Sequence, residues 1–181
     1  MSTRTDNFNR GDTTNAIGTP SDGGSAWVQQ SGIWGIQTNT GYCSGSTGQA
    51  SCYLESNASN VDITVTATAL VDAGIVARVQ DDNNYLLFLF NVTAMQLYTR
   101  IAGTFTALTT VNEASVAGDV FRFKLVGSAL EGWKNGTLKT SISNATFQSN
   151  TKHGLRVNTL LNNFDDFTIS DVASVRIGVG T

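Results

Sequence analysis

The chain has 181 residues, a formal net charge of -3 and 14% charged residues, against about 25% in an average globular protein. Thr, Ser and Asn fill the place of the missing charge and compete with helix for backbone hydrogen bonds, while Glu, a good helix former, occurs only as Glu55, Glu113 and Glu131. Helical bundles and Rossmann-type folds are disfavoured, the acidic balance without a Lys/Arg cluster argues against a nucleic-acid partner, and no apolar run of about 18 residues offers a membrane span.

The length fits one domain. Residues 1–25 are rich in Gly, Ser, Thr and Asp and read as an extended lead-in with a first strand, anchored by Phe8 and Ile17. From Trp27 onward, short apolar runs recur with turn chemistry at intervals of about ten residues, the rhythm of a β-sandwich or barrel. Residues 26–36 read as two short strands around Ser31-Gly32, whereas the Gly-rich segments 22–25 and 41–48 read as flexible surface loops. Residues 61–69 place Val61, Ile63, Val65, Ala67 and Ala69 on one face and Asp62, Thr64, Thr66 and Thr68 on the other, a half-buried strand. Strands at 73–79 and 85–90 flank the turn formers Gln80-Asp81-Asp82-Asn83-Asn84. Leu86-Leu87-Phe88-Leu89-Phe90 is apolar on both faces, as in a central strand covered on both sides. Further strands are predicted at 95–101, 105–111, 120–126, 129–134, 138–143, 154–157 and 164–170, with Asn135-Gly136 as a hairpin turn. The expectation is an all-β fold, a two-sheet antiparallel β-sandwich of the jelly-roll type over 26–172, followed at 173–181 by one more strand or an assembly tail.

Four segments carry a family resemblance. Asp6-Asn7-Phe8-Asn9-Arg10 resembles the opening of concanavalin A-like (laminin G-like) jelly-roll domains, and residues 73–81 followed by Asn84-Tyr85 resemble their central hairpin. Trp133-Lys134-Asn135-Gly136-Thr137-Leu138 is similar to their strand-Asn-Gly-strand turn. Gly154-Leu155-Arg156, followed by Phe164-Asp165-Asp166-Phe167-Thr168-Ile169, is similar to their closing strands. The matches run in family order over residues 6–170. The resemblance implies an early strand paired with the last one, in a lectin-like sandwich whose members bind glycans, decorate larger enzymes, form glucanases, or serve as adhesion and virion modules. Some relatives hold a structural calcium near their terminal strands; here Asp6 and Asn7 with Asp165 or Asp166 are the candidate ligands, and Asp81 to Asn84 form a second oxygen-rich turn.

The glucanase branch carries Glu-x-Asp-x-x-Glu on one strand, and this sequence has no such pattern. A retaining glycosidase needs two carboxylates about 5–5.5 Å apart, so no enzymatic activity is expected. His153, the single histidine, has no nucleophile motif around it and reads as a surface-turn residue before Gly154. Cys43 and Cys52 are read either as free thiols or as a disulfide pinning a surface loop in an oxidising setting. Glycan binding asks for an exposed aromatic plane bordered by hydrogen-bonding groups; the candidates are Trp34, Trp133, Tyr42, Tyr53 and Tyr98, with Trp133, near a hairpin tip, the best placed. Trp27 and Trp34 alternate with Val28, Ile33 and Ile36 and are expected to be at least partly buried.

The opening residues are polar, so no Sec-type signal peptide is expected. A lectin-like sandwich without that signal points to a virion protein, a capsid decoration, head fibre or tail module made in a host cytoplasm, with other virion proteins, copies of itself and surface glycans as partners. The alternative is a carbohydrate-binding module of a secreted bacterial protein.

Overall fold

A computed structural model describes residues 3–173, so all but the first residue of the tail expected at 173–181 lies outside the described residues. In chain order the strands are β1 (Thr3–Asp6), β2 (Val28–Ser31), β3 (Ile33–Gln37), β4 (Thr40–Gly45), β5 (Ala50–Glu55), β6 (Val61–Ala69), β7 (Asp72–Asp81) and β8 (Asn84–Asn91). They continue as β9 (Met95–Ile101), β10 (Thr104–Val111), β11 (Val120–Val126), β12 (Ala129–Lys134), β13 (Thr137–Ser143), β14 (Lys152–Val157) and β15 (Asn163–Asp171). An eight-stranded sheet runs β13-β12-β11-β6-β15-β4-β3, with β1 also on β15, and a seven-stranded sheet runs β10-β9-β8-β7-β14-β5-β2.

Alternation decides which way each strand faces. In β6, Val61, Ile63, Val65 and Ala67 are fully buried while Asp62, Thr64 and Thr66 face outward, and β11 sends Phe121, Phe123 and Leu125 to the same core. The other sheet answers with Ile75, Leu86, Phe88, Phe90, Leu97 and Leu155. The Phe90 and Phe121 rings stack with centroids 3.7 Å apart, and Phe88 meets Phe90, Phe121 and Phe123 edge-on or tilted. Each such ring contributes roughly 1.5–3 kcal/mol by leaving water. Gly132 in β12 makes room for them, since a Cβ there would stand 2.8 Å from the Phe88 ring.

The lead-in belongs to this core. Phe8 and Ile17 are fully buried, and Phe8 stacks on Trp27, which packs against Phe167. Thr3 to Asp6 pair with Ser170 to Phe167, so an early strand does lie beside the last one. Thr13 and Ile36 exchange two backbone hydrogen bonds, covering the free edge of β3. The Asn135-Gly136 turn forms as expected, both residues at positive φ (49° and 75°).

Three expectations are corrected. Of residues 41–48 only 46–48 lie in a loop: β4 fills Thr40–Gly45, and β5 follows at Ala50–Glu55. Apart from Leu54 their inward positions are small, and Phe8 fills the space above one of them; a Cβ on Gly41 would lie 2.8 Å from the Phe8 ring. Cys43 and Cys52 are consequently core residues on different sheets, both buried and both free, so the loop-pinning disulfide is not formed. Burial pushes both thiols up in pKa, which keeps them protonated. His153 is likewise no surface residue; it lies on the inner side of β14 with no solvent exposure.

Candidate functional site

Strand register assembles one apolar face outside the core. Tyr98, Leu87, Val76, Gly154, Tyr53 and Val28 are successive cross-strand partners from β9 to β2, so they share one side of the seven-stranded sheet. The adjoining row carries Gln96, Leu89, Gly74, Arg156 and Ser51 on the same side. Here Val76, Val79, Tyr85, Leu87 and Leu89 form a second buried cluster with Tyr53 and Tyr98 packed against it.

That face is concave. β10 lies four strands from β14, about 19 Å at the usual strand spacing, yet the Phe105 ring of β10 stands 5.8 Å from the Arg156 guanidinium. Likewise Asp82, on the β7–β8 turn, accepts from Ser31 Oγ at 2.8 Å and, at 3.5 Å, from Ser51 Oγ, across β14. The bend has a local cause: β7 loses register with β8 between Ala77 and Asp81, and Arg78 sits there at φ 50°. The Arg78 N–H donates to His153 Nδ1 at 3.2 Å, while His153 Nε2 meets the Ala58 carbonyl at 2.9 Å.

The curl encloses a hollow of about 180 Å³ lined by Asp72, Leu87, Leu89, Tyr98, Phe105 and Arg156. Arg156 is 6% exposed. Its Nη1 donates to Asp72 at 3.3 Å and its Nη2 to Gln49 at 3.2 Å and Asn158 at 3.3 Å. Its Nε is buried with no acceptor among the described residues. Burial pulls its pKa down against the lift from Asp72. Arg100 also approaches Phe105, 5.0 Å from the ring centre, and donates to the Asp82 carbonyl, Tyr85 Oη and the Gly103 carbonyl. An apolar floor, two aromatic walls and a buried cation with a carboxylate beside it can hold a ligand that has one apolar face and one polar edge.

The aromatic residues singled out in the sequence are not brought together. Tyr53 and Tyr98 share the concave face in one row, with Lys152 Nζ 5.2 Å over the Tyr53 ring. Trp133 lies half-buried on the outside of the other sheet, its ring 4.9 Å under the Arg122 guanidinium and its Nε1 donating to Glu131. Tyr42 stands on that same sheet near its opposite edge, beside Asp12, Thr13, Asn15 and Gln37. Trp34 is fully buried and donates to the Ser31 carbonyl. Sequence reasoning missed Phe105, Arg156, Arg100 and Asp72; the available signal was the second apolar face of residues 86–90.

The terminal carboxylates do not fit a calcium ion at Asp6. Its oxygens accept from Arg10 at 2.7 and 2.9 Å, from Trp27 Nε1 at 2.7 Å and from the Phe8 N–H at 2.9 Å, so a guanidinium takes the cation position. Asn7 Oδ1 accepts the Asn9 N–H and Asp165 Oδ1 the Asp166 N–H. Among the described residues, no three His, Cys, Asp or Glu side chains converge as a metal site. The glutamates are dispersed: Glu113 meets Lys134 and Lys139, Glu131 meets Lys124 and Trp133, and Glu55 accepts from the Asn57 N–H.

No protein-family model and no curated protein matches the chain. Solved structures do match. The carbohydrate-binding module CBM66 from Bacillus subtilis superposes with a TM-score of 0.62 at 12% identity, over 81% of this chain and 92% of that one. Bacillus licheniformis β-glucanase gives 0.61 at 11%, over 96% and 99%. Domain 4 of AbnA, a GH43 extracellular arabinanase from Geobacillus stearothermophilus in complex with arabinotriose, gives 0.61 at 11%, over 97% and 96%. At such identities the likeness speaks for the fold alone: the chain is a two-sheet jelly-roll sandwich of concanavalin A-like fold.

Proposed function

We propose that the protein is a non-catalytic carbohydrate-binding jelly roll that holds a glycan in the hollow of its concave face. The observation that carries this reading is the convergence of Leu87, Leu89, Tyr98 and Phe105 with the Arg156–Asp72 pair. A sugar ring offers a C–H face for the aromatic and aliphatic side chains, and hydroxyls for the charged ones. One structural neighbour is named a carbohydrate-binding module and another is in complex with arabinotriose, which adds support. The non-catalytic part rests on the carboxylates. Asp72 is the one carboxylate lining the hollow, and it is committed to Arg156 and Asn158, whereas a glycosidase of the usual kind needs two.

A glycan array followed by calorimetry tests the reading. Tyr98→Ala and Phe105→Ala should each weaken binding about tenfold or more, the loss of a stacked ring or wall. Binding that survives both changes and disappears in Trp133→Ala would move the site to the other sheet, and absence of glycan binding would overturn the reading.

The setting we propose is a virion, where the module contacts glycans, copies of itself or other virion proteins; the hydroxyl-lined outer face of β6 supports such a surface role. A module of a secreted bacterial protein is the alternative. Capsid and tail genes beside the coding gene would favour the first, polysaccharide-degradation genes the second.

A further inference from the structure

We infer that the hollow selects an acidic saccharide, its carboxylate or sulfate held by Arg156 and Arg100 and its ring laid against Leu87, Leu89, Tyr98 and Phe105. This deepens the carbohydrate-binding reading and rests on it. The chain is acidic overall, and its cations are mostly neutralised in place: Arg4, Arg10, Arg122, Lys124, Lys134 and Lys139 each have a carboxylate partner. Among the described residues Arg100, like Arg78 and Lys152, has no carboxylate partner in an ion pair, and the acceptors it meets are two backbone carbonyls and a phenol oxygen.

Arg100 and Arg156 also converge, their guanidinium carbons 5.0 and 5.8 Å from the centre of the same Phe105 ring. Among the described residues Asp72 is the single carboxylate in an ion pair with either of them, while the Asp82 carboxylate is turned toward Ser31 and Ser51. Two guanidinium groups and one ion-paired carboxylate therefore stand together at a partly enclosed site, where the Arg100 charge disfavours that of Arg156. The buried Arg156 Nε adds a donor with no acceptor, a costly state unless something binds there. A neutral glycan leaves the charge unbalanced. A carboxylate or sulfate supplies both the countercharge and an acceptor of the shape a guanidinium fork prefers.

Calorimetry on the full chain separates the outcomes, using oligogalacturonate, a sulfated glycosaminoglycan oligosaccharide, neutral arabino- and gluco-oligosaccharides, and polyacrylate. The expected result is that an acidic oligosaccharide binds at least tenfold more tightly than the neutral ones and loses at least tenfold in Arg100→Gln and in Arg156→Gln. Arg156 is buried, so Arg100→Gln, at a half-buried position, keeps the test independent of folding. The uronate and sulfate arms tell which acid group is taken. Neutral sugars binding as tightly as acidic ones would overturn the inference and leave the carbohydrate-binding reading intact; no saccharide binding would overturn both. Equal affinity for polyacrylate, or acidic-sugar binding untouched by Arg100→Gln, would also overturn it.

Discussion

His153 occupies both ring nitrogens only when neutral: Nδ1 accepts the N–H of Arg78, the residue that bends β7, and Nε2–H gives its proton to the Ala58 carbonyl. Burial, with a smaller push from the Arg78 charge, depresses its pKa from 6.5 to about 4. Between those values the unfolded chain binds the proton that the folded chain refuses. The contribution of this residue is therefore complete above about pH 6.5, declines as the pH falls toward 4 and is flat below. The whole span amounts to about 3 kcal/mol. Urea midpoints of the protein and of His153→Gln, compared from pH 8 to 4, should approach one another as the pH falls, because the carboxylates titrate in both. Parallel curves would show that the ring keeps its proton in the fold. The burial could have been read from the alternation of His153, Leu155 and Val157. The partner nitrogen could not, because Arg78 lies 75 residues away in sequence.

At the scale of the strand, β8 shows why a correct pattern led to a partly wrong picture. Leu86-Leu87-Phe88-Leu89-Phe90 is buried throughout, as a strand covered on both sides should be. Leu86, Phe88 and Phe90 face the second sheet, but Leu87 and Leu89 are covered by Tyr98, Phe105 and Arg156 of their own curled sheet and floor the hollow. Hydrophobicity records burial without recording what does the covering, so the binding face was visible only as surplus apolarity. The two sides of β8 should separate by substitution. Phe88→Ala opens a cavity among three other phenylalanines and should cost about 3–5 kcal/mol in chemical denaturation. Leu89→Ser, at the rim of the core, should cost less and weaken glycan binding; a similar stability loss for both would place them in one continuous core. β4 and β5 escaped notice for the opposite reason. Apart from Leu54 their inward residues, Gly41, Cys43, Ala50 and Cys52, are small, Phe8 filling the space above Gly41, and small residues mimic loop composition.

For the whole molecule, the fold is closed by contacts between its two ends. β15 is flanked on one side by β6 and on the other by β4 at its start and β1 near its end, so Phe167 to Ser170 depend on the lead-in for their outer hydrogen bonds. The lead-in also brings Phe8 and Ile17 to the core, and Asp6 to the Trp27 Nε1–H and the Arg10 fork. Losing a buried Phe and a buried Ile, and leaving a buried indole N–H without its acceptor, should together cost on the order of 5–10 kcal/mol. That is comparable with the whole stability of a typical domain, about 5–15 kcal/mol. Deleting residues 1–17 is accordingly expected to abolish the cooperative unfolding transition and to expose apolar surface that binds a hydrophobic dye, even though every strand from β2 onward is still encoded. A truncated chain that unfolds cooperatively at an unchanged midpoint would mean that the sandwich closes without its first strand. Because Thr3 must find Ser170 across nearly the full length of the chain, refolding should also be slow, in the millisecond-to-second range or beyond that non-local β topologies show. Stopped-flow fluorescence of Trp27, which is seated between Phe8 and Phe167, would follow that closure directly.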